Sequence, residues 1–129
     1  MREIKFRAWQ EKSSLVYESK MYSWDELKGT DYTLGCFEYE GIVFMQFTGL
    51  KDKNGVEIYE GDIVKGQRIT KAWGKRPEKT EYLIFEVYWD EEWRGFKVDY
   101  PKMKWSGYLG IDMPYEVIGN IYQNPELLK

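Results

Sequence analysis

Short runs in which apolar and polar side chains alternate recur along this chain, and they predict strands. Residues 4–9 place Ile4, Phe6 and Ala8 on one side and Lys5, Arg7 and Trp9 on the other, the pattern of a half-buried strand. Polar residues 10–14 predict a turn, and residues 15–17 a short return strand. The strongest strand signal of the first half is IVFMQFT at 42–48, with Phe44 and Gln46 opposed to Val43, Met45 and Phe47. Val56, Ile58 and Tyr59 form a further short run, and Ile63-Val64 opens a new strand. Residues 82–89, YLIFEVYW, read as a core strand of β-branched and aromatic side chains. The acidic turn Asp90-Glu91-Glu92 then returns the chain through residues 93–98, with a bend at Gly95. Residues 99–113 hold Pro101, Gly107 and Gly110 and are expected to be mostly irregular, before a last strand at 115–122.

Turn and cap chemistry fixes where these runs end. Asp52-Lys53-Asn54-Gly55 predicts a tight turn, because Asn and Gly adopt positive φ at little cost. Glu60-Gly61-Asp62 predicts a second, in which Asp62 accepts hydrogen bonds from its own turn. Ser23 and Glu26 have the spacing of a capping box, so a helix starts there and Gly29 stops it within two turns. A helix that short depends on packing against a sheet. Asn124-Pro125 opens a terminal helical turn.

The composition strengthens the strand reading. In 129 residues there are 6 Trp, 11 Tyr and 6 Phe, and 12 Gly punctuate the chain. This length suits one domain or two small subdomains that share a core. The net charge of −3 argues against a protein that coats nucleic acid non-specifically, which needs an excess of cations. One segment departs from that balance. Residues 65–80 hold six basic side chains (Lys65, Arg68, Lys71, Lys75, Arg76, Lys79) against the single acid Glu78. Gly66, Gly74 and Pro77 predict that this segment is a long irregular connection, and such connections are often functional. Arg68, Lys71, Trp73, Lys75 and Arg76 are the candidate binding residues: the cations neutralise phosphates and the tryptophan stacks a base. The competing reading is a solvated arm.

Other chemistry is sparse. There is no histidine, which removes the Ser–His–Asp and Cys–His catalytic arrangements and the commonest zinc ligand. The single cysteine, Cys36, lies near Leu34 and Phe37 and reads as a small apolar residue. A lone cysteine fits a reducing compartment. The acids Glu60 with Asp62, Asp90 to Glu92, and Asp112 with Glu116 fall in or beside turns, where carboxylates serve the backbone. Glu3-Ile4-Lys5 and Glu18-Ser19-Lys20 each set an acid two residues from a lysine, but without the proline–aspartate pair of a nuclease hairpin. No phosphate-cradling glycine loop is present. No catalytic residue, metal site or cofactor is expected. The chain has no apolar run of membrane-spanning length.

Several blocks together resemble the YopX family of phage and prophage proteins. They are IKFRAW at 4–9, MQFTGLKDKNG at 45–55, EIYEGDIV at 57–64, YEVIGNIY at 115–122 and NPELL at 124–128. The resemblance spans nearly the whole chain except residues 66–113. It implies an α+β, mostly β protein: an N-terminal α+β subdomain, residues 1–48, followed by a small SH3-like β-barrel, residues 49–129. It transfers no catalytic residue. The resulting expectation is a cytoplasmic, non-enzymatic phage accessory protein of the host cell that contacts nucleic acid or a host or phage protein through the basic segment. The alternative is a homo-oligomeric assembly module joined by exposed aromatic side chains.

Overall fold

The alternating runs pair into antiparallel sheets in a computed structural model that describes residues 3–12, 18–28, 42–100, 105–109 and 114–129. The described strands are β1 (Phe6–Gln10), β2 (Lys20–Tyr22), β3 (Ile42–Lys51), β4 (Glu57–Tyr59), β5 (Asp62–Thr70), β6 (Lys79–Asp90), β7 (Gly95–Tyr100), β8 (Trp105–Tyr108) and β9 (Glu116–Asn120). One helix, α1 (Trp24–Lys28), precedes β3, and a 3-10 helix (Pro125–Leu128) ends the chain. One sheet has the order β2-β1-β3-β4 and the other β8-β7-β6-β5-β9, so the described residues are mostly β.

The caps act as their residue types dictate. Glu26 N–H donates to Ser23 Oγ at 3.2 Å and Ser23 N–H to Glu26 Oε1 at 3.3 Å, the two bonds of the capping box. Gly55 and Gly61 both take φ of +85°, the left-handed region that glycine enters without Cβ strain. The turn at Gly61 is where the sheets meet. Glu60 N–H donates to Gln46 of β3, Gly61 N–H to Val87 of β6, and Ile121 N–H to the Gly61 carbonyl. Trp9 of β1 stacks on Tyr122 across the same junction, with ring centroids 5.9 Å apart.

The main core lies inside the curl of the second sheet. Ile58, Val64, Phe85, Val87, Val98, Leu109 and Tyr115 are buried together, and Phe85 meets Tyr115 edge to face. Asp52 ties the β3–β4 turn to β9. Its Oδ1 accepts from Asn54 and Val56 N–H at 2.8 and 2.9 Å, and its Oδ2 from Val117 N–H at 2.9 Å.

Three expectations change. Residues 65–80 are not an irregular connection: 65–70 lie in β5, 79–80 in β6, and Trp73 bridges Arg76 between them. Of residues 99–113, those described (99–100 and 105–109) are mainly strand: β7 runs to Tyr100, and β8 pairs Gly107 with Val98. The strand that returns beside β1 is β2 at 20–22, while residues 15–17 fall outside the described residues, as does Cys36. β3 runs across position 48, pairing β1 with its first half and β4 with its second.

Candidate functional site

The basic segment forms the outer half of a long hairpin. Its root is set by Asp62 at the start of β5, which accepts from Tyr59 N–H at 2.8 Å. From there β5 and β6 keep one register, from Ile63 opposite Glu86 to Thr70 opposite Lys79. Trp73 and Arg76 form a further bridge, exchanging N–H to C=O bonds of 3.0 and 2.9 Å. Two residues on each side separate that bridge from the last ladder pair, so the tip continues the same register. Gly74 at φ +58° occupies the first central position of the closing turn, as a two-residue hairpin turn of the II′ kind requires.

Proline does not break the arm. Because Trp73 and Arg76 exchange both bonds, alternation makes Ala72 and Pro77 a non-bonded pair. The amide that Pro77 lacks would have pointed away from the partner strand.

Neighbouring strands support only the root. β9 pairs with β5 over 62–65, and β7 pairs with β6 over 86–90. Beyond these, among the described residues, the hairpin is a ribbon of two strands. From Gln67 to Gly74 it extends for up to about 24 Å at roughly 3.4 Å per residue.

The pleat sorts its side chains. Residues opposite one another share a face, so Lys65, Ile69, Lys71, Trp73, Arg76 and Tyr82 fall in one alternating set. Of the predicted binding residues, Lys71, Trp73, Lys75 and Arg76 are gathered at the tip, and all four are exposed. Arg68 holds the register position opposite Glu81, in the other set. Glu78 holds the register position opposite Lys71, but no ion pair among the described residues joins Lys71, Lys75 or Arg76 to a carboxylate.

Charge and apolar surface are both concentrated here. Residues 65–80 carry six cations and one acid, net +5 in a chain of −3, which leaves −8 on the remainder. Ile69, Trp73 and Tyr82 are three of the seven large apolar side chains left exposed among the described residues. Trp73 is 83% exposed. For a side chain of about 200 Å², that forgoes about 4 kcal/mol of burial.

A second feature lies on the opposite side of the root. A cleft of about 410 Å³ is lined by Lys5, Arg7, Trp24, Glu57, Tyr59 and Asp62, among others. Arg7 Nη2 meets the fully buried Asp62 Oδ1 at 2.7 Å, and its guanidinium lies 4.8 Å from the Tyr59 ring centre. Burial pushes the Asp62 carboxyl above the usual carboxylate range, against the opposing pull of Arg7. Lys5 pairs with Glu57, whose hydrogen bond raises the lysine above its ordinary value. Sequence reasoning placed Asp62 in its turn but missed Arg7, 55 positions away. The only local sign was a charged residue alternating within a strand that ends in Trp9. Every cation and acid named in this cleft has an internal partner, so the cleft reads as a lock between β1 and the hairpin root. No group of three or more His, Cys, Asp and Glu side chains converges as a metal site among the described residues. No helix among them is long and apolar enough to cross a membrane.

The YopX protein family model matches residues 5–129. The crystal structure of protein EF1440 from Enterococcus faecalis is similar over 100% of both chains, at 26% identity and a TM-score of 0.50. No curated protein sequence matches.

Proposed function

Since this chain belongs to the YopX family, and since one projecting hairpin carries a local excess of cations, we propose that it is a non-enzymatic phage or prophage accessory protein that contacts nucleic acid through residues 65–80. The observation that carries the reading is the arm's tip: Lys71, Lys75 and Arg76, with no ion pair among the described residues, beside an exposed tryptophan, on a chain otherwise net acidic. Cations supply the sequence-independent part of such binding by releasing counterions from phosphates. The acidic remainder confines the contact to the arm. The curled sheet around Val64, Phe85 and Val98 serves as its platform, and we read residues 49–129 as the SH3-like barrel that the family resemblance implies. The working compartment in this reading is the host cytoplasm.

The test is charge reversal at the tip. Lys75→Glu with Arg76→Glu should leave the melting temperature nearly unchanged, since exposed substitutions shift stability by only about 0.5 kcal/mol. The same pair should weaken binding to nucleic acid and flatten its salt dependence by about two units of slope. Unchanged binding discards the arm as the contact. A second reading, self-assembly, has one observation in its favour: Glu91 and Glu92 lie exposed at an acidic turn that complements the arm. It predicts a mass that falls on dilution.

A further inference from the structure

We infer that the arm takes single-stranded rather than duplex nucleic acid, with Trp73 as a base-stacking platform; the inference rests on the reading above. The first reason is what surrounds the ring. No aromatic or cationic group among the described residues packs on Trp73, so both of its faces are open. Tyr82, 64% exposed, has Lys65 Nζ 5.3 Å from its ring centre, which leaves it the other face. Two flat rings thus stand in the same alternating set, about 20 Å apart along the ribbon. Stacking needs a base whose own face is free, and a duplex covers those faces with neighbouring pairs.

The second reason is the interleaving. Lys71 and Arg76 fall in the ring-bearing set, and Lys75 sits in the turn between them. Cations set between stacking rings suit a backbone that runs alongside splayed bases. A groove reader instead carries a row of Arg, Asn and Gln for base edges. Here only Gln67 adds an amide side chain to that set. The third reason separates this from edge protection. Lysines alone would guard a bare ribbon against pairing with another chain. An exposed tryptophan beside them works against that purpose, so guarding does not account for Trp73.

The experiment uses the full chain and fluorescence anisotropy at low salt, with labelled oligothymidylate, a duplex of equal length, and heparin as a polyanion without bases. Trp73→Ala should weaken oligothymidylate binding about 5- to 100-fold, the weight of one stacked base. It should leave the salt slope and heparin binding unchanged, and Trp73→Phe should recover most of the loss. Oligothymidylate should also bind more tightly than the duplex. A silent Trp73→Ala, or a duplex bound as tightly as the single strand, overturns the inference. The tip charge reversal tells the two failures apart. If it still weakens binding, the arm reading survives without stacking; if nothing binds, both fall.

Discussion

Removing the Asp52 carboxylate should destabilise the whole fold, and the size of the loss follows from its three amide partners. Hydrogen bonds to a charged group contribute about 1.5–3 kcal/mol each. Asn54 and Val56 are exposed, so their amides turn to water when the acceptor is gone, and each of those bonds counts for less. Val117 is half-buried on β9 and receives no such replacement in full. Asp52→Ala should therefore cost about 3–4 kcal/mol. Asp52→Asn keeps one acceptor but sets an NH₂ group against a backbone N–H, a loss of about 2 kcal/mol. Urea unfolding would show a lower midpoint with an unchanged slope. The melting temperature should fall by roughly 10–20 °C for the alanine variant.

The acid limb gives an independent check. Burial pulls the Asp52 carboxyl upward, but the amides of Val117, Val56 and Asn54 together outweigh it and hold the carboxyl below its usual range. A depressed folded value means stability that is present above the unfolded value of about 3.9 and is lost as pH falls through the folded one. The wild type should lose that contribution below about pH 4, and Asp52→Asn should not. A loss under about 1 kcal/mol for the alanine variant would refute the accounting. So would identical acid limbs for wild type and Asp52→Asn.

Two further predictions concern the root and tip of the arm. Arg7→Met strands a fully buried carboxylate and should cost about 3–5 kcal/mol, whereas Arg7→Met with Asp62→Asn should recover much of it. Chemical denaturation of the two variants measures the difference, and equal losses would reject the lock. Gly74→Ala meets no atom within 4 Å but forces a side chain into φ +58°, a strain of about 1–2 kcal/mol. Hydrogen exchange should speed up at the Trp73 and Arg76 amides while the core amides stay protected; faster exchange across the core as well would contradict an isolated tip.

Local chemistry was readable in the sequence, and long-range register was not. Ser23 with Glu26, Asp52 with its turn, and the glycine at 61 each act through atoms a few residues away, so residue type was enough. The arm was misjudged because Gly66, Gly74 and Pro77 are breakers only when their ladder position is unknown. Gly66 sits opposite Leu83 inside an intact pairing, and the doubly bonded Trp73–Arg76 bridge sets the bare nitrogen of Pro77 outward. The bond between Arg7 and Asp62 joins distant segments, and nothing in either segment points to the other. The candidate cations were found by composition alone, since charge segregation needs no geometry. That they sit on a ribbon with a ring-bearing face came only from the pairing.

The unbroken count from Ile63 to Glu86 limits how this appendage can vary among relatives. Adding one residue to a single strand would rotate everything beyond it by half a turn and hide the indole behind the ribbon. Adding one to each strand would keep the pairing but present the tip to the opposite side. Only increments of two per strand preserve both, so natural length variants that still work should differ by multiples of four residues.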